Sequence, residues 1–296
     1  IYRLVAYELD MARASVLVWL VLAVTAAAGG LYAYWSKRVA VDKSVSPLPP
    51  RAPVRAWEKW LTATVLAMLV LCCLLPLAAV WLKAAAAGSS WAVLLETQTW
   101  AAAWNTIRFS AAAVVAATVL GVLYAAAARQ MAWLRALMFL PFMVSPVCIA
   151  FGVLLLYPQW TASLWLLTAT YALLAYPFVA KDVLAAWDGL PKDYAAAART
   201  MGANGFQTAC YVTAPLLKPA LRRGLTLASA TCIGEFAATL FLSRPEWQTL
   251  TTLIYDYLGR AGADNYGRAM VLTAVLTALA LTAFLLVDEA EGQKAV

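Results

Sequence analysis

Histidine is absent from this sequence, and charged side chains are scarce in it. Only 12% of the 296 residues are charged and 64% are hydrophobic, whereas about 25% of the residues in a soluble globular protein are charged. Without histidine the commonest general base and metal ligand is missing, and no cluster of carboxylates replaces it. These shortages argue against a large soluble core and against an enzyme, so the composition predicts an integral membrane protein.

Cysteine spacing and the placement of basic residues exclude two further kinds of protein. The five cysteines lack the spacing of a metal site or of a disulfide framework, so we interpret them as small buried hydrophobic residues. The net charge of +7 suggests nucleic acid, but basic and aromatic residues nowhere alternate along a polar segment. In a membrane protein such an excess usually comes from basic cytoplasmic loops, and we therefore predict no nucleic-acid partner.

Apolar runs with few or no charges divide the chain into predicted membrane-spanning helices. A run of about 20 residues is enough to cross the hydrocarbon core. Residues 136–180 carry no charge, and at 1.5 Å per residue they would make a helix of about 67 Å, too long for one crossing. We place a break near Tyr157 to Trp160. The sequence then predicts seven spans, at residues 14–36, 60–82, 101–128, 136–157, 162–182, 225–242 and 269–287.

Positive charge is distributed unequally between the two sides of these spans. One side holds 15 of the 22 Lys and Arg, and it comprises residues 37–59, 129–135, 181–223 and 288–296. The positive-inside rule makes this side cytoplasmic and places residue 1 outside. A helical chain that starts outside, without an initiator Met or a signal peptide, is unusual, and we expect it to be a fragment of a longer one.

Residues 1–35 resemble residues 254–287, which indicates an internal repeat. An Ile-Tyr pair opens both stretches, and an Arg-Ala pair precedes the apolar span in both. Chance likeness between two apolar helices is the alternative. If the repeat is genuine, two parallel units enclose a path between them, as in transporters. The predicted domains are then the last span of a preceding unit (1–36), a Pro-rich basic linker (37–59), a six-span unit (60–288) and a cytoplasmic tail (289–296).

Residues 191–219 form a mixed, lightly basic stretch between hydrophobic blocks. We predict a helix at Tyr194–Met201, a break at Gly202, and a second amphipathic helix at Phe206–Thr213 that Ala214-Pro215 ends. A chain that leaves a membrane, lays a short helix along its surface and re-enters needs this order of elements. We therefore predict that the loop docks a partner, with an ordinary solvated re-entry loop as the alternative.

This stretch resembles the EAA loop of bacterial ABC importer permeases. The pattern of that loop is Glu-Ala-Ala, three residues, Gly, and a Pro about a dozen residues later, and it departs here in one place, since Ala196 stands at the Glu position. The resemblance implies docking on a cytoplasmic ATPase, with Arg199 and Asp193 as the remaining polar candidates. The residues assigned to this coupling loop are Tyr194, Ala196, Ala197, Ala198, Arg199, Gly202, Ala203 and Pro215.

The resemblance covers nearly the whole chain. Residues 139–157, 175–194 and 234–260 look like the ferric-iron, thiamine and related subgroup, in which two permease halves are commonly fused. This implies an all-α integral membrane protein of the bacterial inner membrane, with one leading transmembrane helix and a six-helix permease half (type I, MetI-like). Ferric iron, thiamine, small phosphonates and similar solutes are all open as substrates.

The same resemblance implies the partners of the chain. They would be a cytoplasmic ABC ATPase dimer that binds ATP and Mg²⁺, a periplasmic substrate-binding protein, the other permease half and membrane lipid. The chain itself would be no enzyme and would hold no cofactor and no metal.

Three residues are candidates for the translocation path. Glu235 lies within a predicted span, where a carboxylate costs about 2.5–3.5 kcal/mol and should face a cavity or a partner. It either attracts a cationic substrate or pairs within the bundle, for example with backbone freed near Gly234. Ser145 and Pro146 break a predicted span and form either a gate or a packing kink. An ion-coupled secondary transporter is the alternative function, but it would need more intramembrane ionisable groups than Glu235 alone.

Overall fold

A computed structural model describes residues 11–39, 55–138, 141, 144–161 and 163–288 of the chain. Within these ranges every regular element is helical. The helices are α1 (Met11–Val39), α2 (Ala56–Ala85), α3 (Thr97–Gln130), α4 (Ala132–Leu137), α5 (Pro146–Leu156), α6 (Leu164–Gly189), α7 (Lys192–Thr200), α8 (Gly205–Thr208), α9 (Ala214–Ile233), α10 (Ala237–Leu242), α11 (Leu250–Gly259) and α12 (Ala263–Asp288). Most of the predicted linker and the predicted tail lie outside the described residues, as does the start of the proposed repeat.

Among the described residues, four helices are long and apolar enough to cross a membrane, namely α2, α3, α6 and α12. They lie at the predicted spans 60–82, 101–128, 162–182 and 269–287, which confirms an all-α membrane fold. Helices α3 and α6 each extend beyond the apolar run that predicted them, since a helix continues into the headgroup region, where charged side chains are tolerated. Helix α1 occupies the predicted leading span.

The predicted spans 136–157 and 225–242 are interrupted rather than continuous. In the first, α5 begins only at Pro146, because proline lacks the N–H that would continue a preceding helix and suits a first helical position. In the second, α9 ends at Ile233 and α10 begins at Ala237. The sequence predicts the break at Ser145-Pro146, whereas the break at residues 234–236 was not predicted.

Small residues hold the three central helices together. Gly121 of α3 and Gly224 of α9 approach the same residue of α6, Val179. A Cβ atom at Gly121 would lie 2.7 Å from the Val179 Cβ, and one at Gly224 would lie 2.7 Å from the Val179 Cα. Close backbone packing of this kind drives helix association in lipid, where apolar burial gives little advantage. Along α3 the small buried residues recur at four-residue intervals, at Ala113, Ala117, Gly121 and Ala125.

A polar network joins the elements at the end of the bundle where α3 begins. The guanidinium of Arg268 donates to Glu96 at 2.6 Å and to Asp264 at 2.9 Å. Tyr257 donates to the same Glu96 carboxylate at 2.8 Å, and Ser90 donates to Asp264 at 2.8 Å. These bonds connect the 3₁₀ segment Gly88–Leu95 and the start of α3 to α11 and α12, so they fix the two C-terminal helices against the rest.

Helix α2 exposes most of its surface. None of its most apolar stretch is buried, although Ala84 near its end packs in a cluster with α12. The prediction that all five cysteines are buried is therefore wrong for Cys72 and Cys73 of α2, and also for Cys210, while Cys148 and Cys232 are buried. The apolar side chains of a membrane helix can face lipid, so hydrophobicity alone does not predict burial in the core.

Candidate functional site

The stretch 191–219 begins with a short helix that ends at a left-handed glycine. Helix α7 follows Pro191 and ends where Gly202 adopts φ +89°, a conformation that side-chain-bearing residues rarely adopt. The Gly202 N–H donates to the Arg199 carbonyl at 3.0 Å, and the Ala203 N–H donates to the Ala198 carbonyl at 3.0 Å. These bonds satisfy carbonyls that the end of the helix would otherwise leave without partners.

The second helix of the loop does not end at Pro215. A reciprocal capping pair starts α8, in which the Gln207 N–H donates to the Asn204 side chain at 2.8 Å and the Asn204 N–H donates to the Gln207 side chain at 2.9 Å. A π-helical turn, Ala209–Thr213, then joins α8 directly to α9. The prediction that Ala214-Pro215 terminates the helix is wrong, because the wider π turn accommodates a proline that a regular α-helix would exclude.

Large apolar side chains on this loop are exposed. Met201 is 87% exposed, Tyr211 78% and Phe206 77%. Met201 and Tyr211 border an open groove of about 630 Å³, which we call the outer groove. It is lined by Tyr194, Ala197, Ala198, Met201, Gly202, Ala203, Gln207, Tyr211 and Val212. Exposed apolar surface on a polar segment is typical of an interaction site.

A second cleft, of about 420 Å³, lies between the loop and the ends of α3 and α6. We call it the arginine cleft. It is lined by Arg129, Trp187, Leu190, Pro191, Tyr194, Ala195, Ala196, Arg199, Gly205, Thr208, Ala209, Val212, Thr213 and Leu216. The structure therefore divides the predicted loop residues between two surfaces. Ala196 and Arg199 face the arginine cleft, Tyr194 borders both surfaces, and Pro215 lines neither.

Three charged residues beside the arginine cleft were not predicted from the sequence. Arg135 pairs with Asp188 through two hydrogen bonds of 2.7 and 3.1 Å, and its Nε donates to the Ala128 carbonyl at 3.0 Å. The Arg129 guanidinium lies 4.8 Å from the centre of the Trp187 ring. More than fifty residues separate Asp188 from the arginines, so no local sequence pattern could have grouped them.

Glu235 is buried, with 7% of its surface exposed. Its carboxylate accepts a hydrogen bond of 3.1 Å from the Ala238 N–H in the first turn of α10. Its own backbone carbonyl accepts a bond of 2.9 Å from the Thr251 hydroxyl, and Tyr171, which also bonds to Thr239, approaches the same carbonyl. Of the two roles considered for Glu235, this geometry favours the structural one, in which the side chain caps the interrupted helix.

The other candidate path residues begin the short helix α5. Ser145 precedes its first residue, Pro146, and the Ser145 carbonyl accepts a bond of 3.1 Å from the Ile149 N–H. Helix α5 packs against α10, with the rings of Phe151 and Phe241 6.2 Å apart. The structure thus brings together two short helices, and the candidate path residues lie at or next to their starts. In the part of the chain that is described, no cluster of metal-ligating side chains occurs.

Residues 117–288 match the protein family described as the binding-protein-dependent transport system inner membrane component. The match covers more than half of the chain, and the chain belongs to this family. It is therefore a multi-pass inner-membrane transport subunit of an ABC importer, which is not itself an enzyme and which works with an ATPase and a binding protein.

Several transport permeases are similar to this chain. PhnV of Salmonella typhimurium strain LT2, assigned to a 2-aminoethylphosphonate transport system, is 28% identical over 203 residues, which are 66% of this chain and 72% of that protein. The sulfate transport permease CysT of Escherichia coli K12 is 32% identical over 164 residues, 50% of this chain and 58% of that protein. The molybdenum transport permease ModB of Haemophilus influenzae is 30% identical over 111 residues, 36% of this chain and 48% of that protein.

A solved structure has the same fold. It is the crystal structure of a bacterial ABC transporter that takes part in the import of the acidic polysaccharide alginate, and it matches with a TM-score of 0.64. The match covers 82% of this chain and 100% of the other at 18% identity. None of these similar proteins is named for ferric iron or thiamine, so that finer prediction gains no support from them.

Proposed function

We propose that residues 191–219 couple this permease to its cytoplasmic ATPase. The observation that carries the proposal is the exposure of three large apolar side chains on this loop, Met201, Phe206 and Tyr211, each of which is more than three-quarters exposed. Large apolar side chains of this kind are stabilised when a partner surface covers them. ATP and Mg²⁺ would be bound by the ATPase, and this chain would hold no cofactor.

The continuous helix behind the loop supports a mechanical role. Because the π turn joins α8 to α9, the chain from Gly205 to Ile233 is helical throughout, about 43 Å at 1.5 Å per residue. A displacement of the loop would move α9 as one body, and the close contact of Gly224 with Val179 would pass that movement to α6. Closure of the ATPase dimer could thus rock the bundle between inward-facing and outward-facing states.

We further propose that the substrate is a small oxyanion of the phosphonate, sulfate or molybdate class, carried along a path shared with the second permease half. The names of the similar permeases support this class over ferric iron or thiamine. The Glu235 carboxylate, which would suit a cationic substrate, is engaged by backbone instead. Uptake of these anions by the reconstituted transporter, compared with ferric iron and thiamine, tests the proposal, and uptake of only the latter two would contradict it.

The variant Gly202→Val tests the coupling role of the loop. A β-branched residue cannot adopt φ +89° without strain, so the end of α7 should be displaced. We expect ATP-driven uptake in proteoliposomes to fall by about ten-fold or more. In an enzyme, a misplacement of about 1 Å between reacting groups can cost about a hundred-fold in rate, and we expect the fit between the loop and the ATPase to be similarly sensitive. Membrane insertion, measured by protease protection, should be unchanged.

Gly189→Val is the matched control. Gly189 ends α6 at the same end of the bundle, has an ordinary φ, and has nothing within 4 Å of the position that an added Cβ would take. This variant should transport normally. Unchanged ATP-dependent uptake by Gly202→Val would mean that the loop does not couple the chain to the ATPase.

A further inference from the structure

The arginine cleft carries positive charge without a lining carboxylate. Of the residues that line it, Arg129 and Arg199 are charged, and the others are apolar, aromatic, small or hydroxyl-bearing. No Asp or Glu of the described chain contributes to its wall. Since two arginines share an open cleft, the cleft is electrostatically suited to an anionic group.

The two arginines keep donors available for such a group. The Arg199 side chain is exposed and makes no hydrogen bond or ion pair with any described residue. Arg129 forms a long ion pair of 3.9 Å with Asp188, which also accepts two shorter bonds from Arg135, so two guanidinium groups share one carboxylate and a net positive charge remains. The Arg129 guanidinium also lies 4.8 Å from the centre of the Trp187 ring, a contact that positions this side chain beside the cleft.

Ala196 leaves the cleft open beside Arg199. The two residues are three positions apart on α7 and line the same cleft, so a longer acidic side chain at position 196 could reach the Arg199 guanidinium. With alanine there, that guanidinium lacks a partner on its own helix. The resemblance to the EAA pattern places a glutamate at this position, so this chain lacks the negative charge that the pattern would put beside Arg199.

We propose that the arginine cleft receives a carboxylate side chain, Asp or Glu, from the surface of the cytoplasmic ATPase. The inference rests on the proposed coupling function of the loop and adds the chemistry of the contact. A protein side chain fits better than a free anion, because Tyr194 borders both the cleft and the outer groove. One partner surface can therefore fill the cleft and cover Met201 and Tyr211 together.

Two charge variants test this contact in the whole transporter, reconstituted with its ATPase, second permease half and binding protein. Arg199→Glu should lower ATP-driven uptake by about ten-fold or more, because an attraction between the subunits becomes a repulsion. Ala196→Glu should also lower uptake by several-fold, because the new carboxylate would pair with Arg199 and repel the incoming one. Increased or unchanged uptake by Ala196→Glu would overturn the proposal.

Thr200→Glu is the matched control, because it adds the same charge to α7 at an exposed position that lines neither surface. It should transport within about two-fold of the original chain, as surface charges contribute little by themselves. Lower uptake by Thr200→Glu than by Ala196→Glu would show that any added acid is harmful, and would overturn the assignment of the cleft.

A charge exchange identifies the partner. Lys substitutions of the surface carboxylates of the ATPase would be combined one at a time with Arg199→Glu, and one of them should restore uptake. Absence of any rescue would overturn a partner carboxylate. If Gly202→Val abolishes uptake while both cleft variants transport normally, only this inference fails and the coupling function stands.

Discussion

At the scale of single residues, Glu235 shows how a buried charge can serve architecture. Its carboxylate binds the Ala238 N–H, a donor that the interruption at residues 234–236 leaves without an intrahelical acceptor. A carboxylate near the start of a helix is also favoured by the helix dipole. Glu235 is therefore explained without contact to a substrate, although it lies deep in the protein.

Variants of Glu235 separate the two roles considered for it. Glu235→Gln keeps a carbonyl oxygen for the cap, so we expect uptake within about two-fold of the original chain. Glu235→Ala leaves a buried N–H without its acceptor and should lower the free energy of unfolding by about 1–2 kcal/mol. Thermal unfolding in detergent, measured beside uptake, checks both. Loss of uptake by Glu235→Gln at unchanged stability would indicate a path role instead.

Residue-level inference from sequence succeeds where one residue decides the local backbone. Gly202 ends α7 because only a residue without a side chain readily takes φ +89°, and such a position is readable from a Gly after an Ala-rich run. Pro215 leads to a wrong prediction because it does not decide the local backbone by itself. Its effect depends on the π turn that precedes it, and nothing in the local sequence indicates that turn. Arg135 and Asp188 form an ion pair although they lie 53 residues apart in the sequence. No short sequence motif could have predicted this pairing.

At the scale of elements, the bundle depends on where helices touch through small residues. The four long spans could be predicted because a charge-free run of membrane length is rare outside a membrane-spanning helix. The contacts between them were not predicted, even though the spacing of Ala113, Ala117, Gly121 and Ala125 is visible in the sequence. The contact that these small residues make can be inferred only once α6 is known to lie against α3.

Gly224→Ala tests the contact between α6 and α9. The added Cβ would lie 2.7 Å from the Val179 Cα and 3.2 Å from the Phe178 carbonyl oxygen. Because these are backbone atoms, the helices themselves must separate, and we expect a loss of about 1–3 kcal/mol in the free energy of unfolding. Thermal unfolding of the purified protein in detergent measures this loss.

The control for this variant is Gly152→Ala in α5, where nothing lies within 4 Å of an added Cβ. It makes the same chemical change within a helix and should be neutral or slightly stabilising, since alanine favours a helix. Equal stability of the two variants would mean that α6 and α9 do not pack as closely as described.

At the scale of the whole molecule, the two ends of the bundle differ in kind. One end is fastened by the network of Arg268, Glu96 and Asp264. The other end carries the exposed loop 191–219 and the arginine cleft, about 50 Å away along α3. One end of the bundle is thus held by ion pairs, and the other exposes apolar surface. This difference is consistent with the proposal that a cytoplasmic protein binds and moves the exposed end.

As a subunit of an ABC importer, this chain should transport only when an ATPase drives it. The most direct measurement is uptake of labelled 2-aminoethylphosphonate, sulfate or molybdate into proteoliposomes that contain the complete transporter, with ATP supplied to the ATPase side. We expect uptake that requires ATP, the ATPase and the binding protein, and that disappears when any one of them is omitted. Uptake by the chain alone, driven by a proton or sodium gradient without ATP, would contradict it.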